Sequence, residues 1–266
     1  MSALVISEPN QKGGTGKTTS MVHLARAAVR RGLRVLFVDA DPQGSGTALL
    51  AADGLEEDAP GLANALSNQD AETTLPDVIV PGLWTGLEVV PTTGGGLGIV
   101  RDELIVAPLA RERRLSDALE PVRERYDLIL IDTGPSLDQL TINALVASDI
   151  AAAVTEPDYL ASRGLVQLLD TITTVQKHYA PGLRFAGVIA NNYDARKKEA
   201  SHWLEQLREA ASAQGFTVLE PVIPARTAIA NSSQQGIALD EWPRARPLVD
   251  LYDQQLDAIT EGRFTS

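Results

Sequence analysis

Short apolar runs alternate along the chain with longer segments whose apolar positions recur every three to four residues. Residues 3–7 read as a buried strand, closed by Glu8-Pro9. In residues 18–31, Met21, Leu24, Ala25 and Ala28 repeat at helical spacing, and Gly32 stops the helix. Further strands are expected at 34–39, 87–91, 127–132, 149–155, 184–190 and 216–222. Helices are expected at 111–125, 138–147, 159–178, 198–213 and 245–261. Continuous apolar strands separated by helices imply a twisted, mostly parallel sheet covered by helices on both faces. Residues 53–77 read as an irregular, partly helical excursion, and Gly94-Gly95-Gly96 as a mobile loop. The expectation is one α/β domain spanning residues 1–266.

Composition narrows the chemistry. The chain has 266 residues, with 23 Lys plus Arg against 35 Asp plus Glu, for a formal charge of −12. That balance argues against a DNA binder working through overall positive charge. With no Cys, disulfides, thiolate metal sites and Cys nucleophiles are excluded. The three histidines, His23, His178 and His202, are too scattered for a His-built metal centre. No apolar stretch approaches a membrane span, and no signal peptide is visible, so a cytoplasmic location is expected.

The chemistry concentrates where the first strand meets the first helix. Residues 11–19 read QKGGTGKTT, in the strand–loop–helix setting of a phosphate loop. Gly13, Gly14 and Gly16 let the backbone approach phosphate oxygens, and Thr15 completes the loop. The helix N-terminus adds partial positive charge. Lys17 is placed for the β- and γ-phosphates, Thr18 for Mg²⁺ and Thr19 for the α-phosphate. Gln11 replaces the first Gly of the common G-x-x-x-x-G-K-[ST] pattern, and Lys12 adds a second lysine. Asp39 and Asp41 lie at and just beyond the end of one strand, suited to the Mg²⁺ shell and to orienting water. Asp132 ends another buried strand, where a Mg²⁺-water ligand belongs.

These residues resemble the ParA/Soj/MinD family of deviant Walker A P-loop ATPases. KGGTGKTT (12–19) matches the family signature, VLFVDADPQGS (35–45) the second motif, and DLILIDTGPSLDQLTINAL (127–145) the Walker B and switch II region. The likeness continues through 148–169, 186–196 and 222–236. TINAL and Asp41-Pro42-Gln43 resemble the ParA/Soj partition branch, whereas the acidic tail lacks MinD's basic membrane helix. With the signature starting at residue 12, an N-terminal helix-turn-helix domain is not expected.

The resemblance implies ATP/ADP and Mg²⁺ as cofactors and slow, partner-stimulated ATP hydrolysis by a nucleotide-sandwich homodimer. It implies that Lys12 reaches the partner's ATP, Lys17 and Thr18 serve phosphate and Mg²⁺, Asp41 positions the water, Asp39 lies near Mg²⁺, and Asp132 is the Walker B aspartate. Asn191 or Asn192 falls where the family contacts adenine, and the segment after Pro224 closes over the base. Three departures stand out. Thr133-Gly134 replaces a usual Cys-Pro, Arg163 stands at an often acidic position, and Ala228 replaces an Arg that contacts DNA in several relatives.

A DNA face is expected among Arg196, Lys197, Lys198 and Arg226. Residues 191–250 hold seven basic and eight acidic side chains, so they are nearly neutral within an acidic chain. The expected function is segregation or positioning of plasmid or chromosome DNA through ATP-dependent, non-specific DNA binding, with a ParB-like stimulating partner and nucleoid association. The alternatives are an ATPase that positions a protein cargo on the nucleoid and a MinD-like membrane or protein-only regulator.

Overall fold

The computed structural model describes residues 2–52, 54–70, 72–158 and 161–265, with backbone alone for 161–163. Asp53 of the acidic excursion, the expected helix start at 159–160 and the Arg163 side chain therefore lie outside the described residues.

Eight strands form one sheet: β1 (Leu4–Ser7), β2 (Val35–Ala40), β3 (Val80–Pro81), β4 (Leu87–Val90), β5 (Leu128–Thr133), β6 (Ile150–Thr155), β7 (Arg184–Ala190) and β8 (Val218–Leu219). Their order is β3-β4-β2-β5-β1-β6-β7-β8. Only the short edge strand β3 is antiparallel. Among the central strands Ile6 pairs with Leu130, and Asp39 stands opposite Asp132. The parallel arrangement brings strand C-termini to one edge, where ligands bind in such sheets.

Helices α1 (Lys17–Arg30), α2 (Ser45–Leu50), α3 (Leu62–Leu66), α4 (Gly96–Val106), α5 (Arg114–Leu119), α6 (Gln139–Ala147), α7 (Ala161–His178), α8 (Lys198–Gln214), α9 (Thr227–Gln234) and α10 (Arg246–Thr260) cover the faces. Alternate strand residues separate the core. Leu4, Ile6, Phe37 and Leu130 face α1 and α10, while Val5, Leu36, Val38 and Ile131 face α3 to α6. A third cluster joins Ala151, Ala153 and Val188 to α7 and α8. Period-two alternation thus buries both faces.

Three expectations change, and one helix is new. The helix expected over 111–125 is α5 followed by a 3-10 turn, Glu120–Arg125, because Pro121 has no N–H to continue the α-helical ladder. The Gly94-Gly95-Gly96 loop opens α4: Gly94 and Gly95 adopt φ of 54° and 68°, and Gly95 is the N-cap. The strand expected over 216–222 narrows to β8, since Pro221 cannot donate to a ladder. Helix α9 was not foreseen in its polar sequence TAIANSSQ.

Helix α10 seals the back of α1 through wholly buried Leu256 and Ile259. Leu256→Ala is expected to lower unfolding free energy by about 2–5 kcal/mol in urea titrations.

Candidate functional site

The turn after β1 is built by side chains as well as glycines. Gly14 and Gly16 take φ of 75° and 82°, and Gly16 is the N-cap of α1. The Ser20 N–H makes the first helical bond, to the Gly16 carbonyl at 2.8 Å. The N–H groups before it are left for an anion. Asn10 is buried and crosses the turn, donating to the Val154 carbonyl and to Thr15 Oγ1 at 3.2 Å, while its Oδ1 accepts from the Lys12 N–H at 3.2 Å.

Asn191 closes the loop from the far side. Its Nδ2 donates to the Thr15 carbonyl at 2.8 Å, and its own N–H donates to the Thr155 carbonyl at 2.8 Å. A Cβ at Gly16 would overlap this amide, so close approach and positive φ both demand glycine there. Thr15, Asn191, Asn192, Pro224, Arg226 and Ile229 are among the residues lining a cavity of about 210 Å³ beside the loop. Arg226, expected on a DNA face, thus lines the same cavity as the two asparagines.

The two lysines of the loop have opposite surroundings. Lys17 is buried beside carboxylates: burial pulls its ammonium pKa down, while Asp132, Asp41 and Glu8 push it up. Lys12 stands at the surface, 36% exposed, and pairs with Asp158, which follows β6.

Asp132 ends β5 wholly buried, and both its carboxylate oxygens lack a hydrogen-bond partner among the described residues. Burial first, then the Asp39 charge, raise its pKa to about 7, opposed by the Thr18 hydroxyl and Lys17. Such an orphaned buried carboxylate beside a Thr hydroxyl fits a hydrated divalent cation. Asp39 is differently occupied. Its Oδ2 accepts from the Thr47 N–H at 2.6 Å and the Thr47 hydroxyl at 2.7 Å, and its Oδ1 accepts from the Asp41 N–H at 3.3 Å. Burial raises its pKa to about 6 despite these bonds. Thr47 Oγ1 in turn accepts from the Thr92 N–H at 2.8 Å, so Asp39 ties β2 to α2 and to the end of β4. Asp41 lies beyond the strand end, with Oδ1 accepting from the Gln43 N–H at 2.9 Å. A Cβ at Gly134 would come within 3.3 Å of that oxygen, so the small residue of switch II leaves the carboxylate its place.

The sequence reading missed Glu8. It is wholly buried, both its oxygens lack a hydrogen-bond partner among the described residues, and burial followed by the Asp132 charge raises its pKa well above the carboxylate range, against Lys17. A charged residue ending an apolar run was the available signal, but it was read only as a strand stop. Asp158 and Thr47 were missed for another reason: sequence distance hides their partners. On the expected DNA face, Arg196 is paired with Asp194 at 2.8 Å. Lys197 and Lys198 make no ion pair among the described residues and open α8, against its dipole.

The raised Asp132 pKa sets a pH signature. The folded protein binds a proton there that the unfolded chain has lost between the ordinary value of 3.8 and about 7, so this group's contribution to stability falls as pH rises across that window. Asp132→Asn removes the penalty. In nucleotide-free melts, the variant's stability relative to the parent is expected to rise by about 1–3 kcal/mol between pH 5 and 8.

Comparison with known proteins agrees with this geometry. A family model described as an AAA domain matches residues 3–185. The chain is 37% identical over 245 residues to the sporulation initiation inhibitor protein Soj of Bacillus subtilis, covering 91% of this chain and 92% of that protein. It is 34% identical over 251 residues to the chromosome partitioning protein ParA of Myxococcus xanthus, covering 94% and 81%. Among solved structures, cobyrinic acid a,c-diamide synthase of Mycobacterium smegmatis with bound ATP analog and magnesium superposes with a TM-score of 0.81 at 27% identity, covering 99% and 96%. The signature loop, the Asp39 and Asp132 strands and the near full-length similarity to Soj and ParA agree, and the chain belongs to the ParA/Soj-type partition ATPases.

Proposed function

We propose that this partition ATPase is an ATP-gated dimer that binds DNA without sequence preference and leaves it on hydrolysis. The observation that carries the reading is the contrast between its loop lysines. Lys17 is buried among carboxylates under the loop, whereas Lys12 stands at the surface, half-buried and paired with Asp158. One cation serves the subunit's own nucleotide, and the other is free to serve a partner's once it leaves Asp158.

In this reading the loop N–H groups, Lys17 and Thr19 hold the ATP phosphates. Asn191 keeps the loop in its binding shape, while Asn192 and the segment after Pro224 border the base. Thr18 and Asp132 would hold Mg²⁺, with Asp39 behind them; bound there, the ion would neutralise phosphate charge. Asp41 orients the attacking water and accepts its proton. Lys12 from the facing subunit stabilises charge on the transferred phosphoryl group. Because Asp39 anchors α2 through Thr47, a shift at the γ-phosphate passes directly to the segment next to Asp41.

The DNA surface is assigned to the start of α8, where Lys197 and Lys198 are unpaired among the described residues, with Arg196 beside them. Its charge is modest in a chain of −12, so one subunit binds weakly and doubling in the dimer supplies the affinity. A ParB-like adaptor on the DNA cargo stimulates turnover. No described helix is long and apolar enough to cross a membrane.

Two measurements test the reading. DNA binding across a salt series is expected with ATP and to be lost with ADP or no nucleotide; equal binding in all three states refutes the switch. Asp41→Ala is expected to retain ATP-dependent dimerisation and DNA binding while steady-state phosphate release falls at least about a hundredfold. Normal turnover in that variant refutes the role given to Asp41.

A further inference from the structure

One charged residue on the wall of the nucleotide cavity has no part in the phosphate chemistry. Glu156 directly follows β6, and it lines the cavity together with Asn192, Pro224 and Ile229. Asn192 stands just past β7 with φ of 55°. From there its Nδ2 donates to Glu156 Oε1 at 2.7 Å. One carboxylate oxygen is thereby fixed by a neighbour that itself sits in a constrained backbone conformation.

The strand order says what passes over this carboxylate. β6 lies between β1, whose end carries the phosphate loop, and β7, whose end carries the asparagines. The apolar wall of Pro224 and Ile229 lies farther on, after β8. A nucleotide with its phosphates over β1 and its base against that wall must lay its sugar across the end of β6. Asn191 is buried and its Nδ2 is engaged by the Thr15 carbonyl, so Glu156 and Asn192 are the polar side chains left nearer the cavity mouth to meet the sugar. Glu156 is an acceptor-only group when ionised, and a ribose brings two adjacent hydroxyl donors.

We propose that Glu156, oriented by Asn192, is the residue that recognises the ribose hydroxyls and makes this ATPase prefer ribonucleotides to deoxyribonucleotides. The proposal rests on the nucleotide reading above and adds the sugar to it. A carboxylate is suited to the task because hydrogen bonds to an ionised acceptor are roughly twice as strong as neutral ones. Arg226 lines the same cavity and offsets the charge that Glu156 adds beside an anionic ligand.

Isothermal titration of the full chain with ADP, 2′-deoxyADP, 3′-deoxyADP and inosine diphosphate, each with Mg²⁺, tests this. The parent is expected to bind ADP about tenfold more tightly than at least one deoxy analogue. Glu156→Ala is expected to bring ADP down to the level of the deoxy analogue that the parent binds least well, and to weaken that analogue less than it weakens ADP. Glu156→Gln keeps one acceptor and the side-chain volume, so an intermediate preference is expected; it also carries the test if the alanine variant fails to fold. A parent that binds ADP and both deoxy analogues equally overturns the proposal, as does Glu156→Ala with its preference intact. A change confined to the ratio of ADP to inosine diphosphate would mean that the carboxylate reads the base amine, which also overturns it. A parent that binds no adenine nucleotide overturns the nucleotide reading itself.

Discussion

A single buried ammonium facing an excess of buried carboxyl groups governs the working edge of this protein. Lys17 sits in the first turn of α1 with Asp132, Asp41 and Glu8 bearing on it, and Asp39 presses on Asp132 from the adjacent strand. Burying such groups is costly unless charge and hydrogen bonds are matched. Here they are not matched, since the oxygens of Asp132 and Glu8 have no hydrogen-bond partner among the described residues. The raised pKa values of Asp132 and Asp39 express that imbalance. In the proposed reading, a hydrated divalent cation would supply the donors and positive charge that these carboxyl groups lack. The parallel sheet makes the cluster possible because β1, β2 and β5 are neighbours whose ends coincide.

The same edge explains how chemistry is coupled to shape. Asp39 is committed to Thr47, and Thr47 to Thr92, so the segment around Asp41 is fastened to α2 and β4. Among the described residues, the Lys12 ammonium pairs with a surface carboxylate, an ion pair of the weak, solvent-screened kind. The loop therefore combines a deeply buried cation with a superficial one. That division suits a protein that first binds a nucleotide by itself and then shares it with a second subunit.

Much of the architecture was legible because it rests on local patterns. The strand RFAGVIA and helix α6 fall within a residue of their expected bounds, since apolar runs and the Asp138 N-cap are local signals. The phosphate loop was legible for the same reason: its glycines, Lys17 and Thr18 are contiguous. Helix α4 was hidden by its glycine start, where positive-φ caps look like a loop in sequence. Asp158 beside Lys12 and Asn191 beside Thr15 could not be read, because those pairs exist only once β1, β6 and β7 are side by side. Glu8 was visible but misjudged, because neighbouring residues alone do not tell whether a strand-ending carboxyl turns to solvent or to the core.

Burial is expected to keep the carboxyl groups of the site partly protonated until a Mg²⁺–nucleotide complex arrives. The most direct test is the number of protons released when Mg²⁺–ADP binds at pH 7, taken from calorimetric enthalpies in buffers of different ionisation heat. With Asp132 near pKa 7 in the nucleotide-free protein, release of about half a proton is expected, and its loss in Asp132→Asn. Binding without proton release, or equal release by the parent and the variant, would mean that Asp132 is already ionised in the nucleotide-free protein.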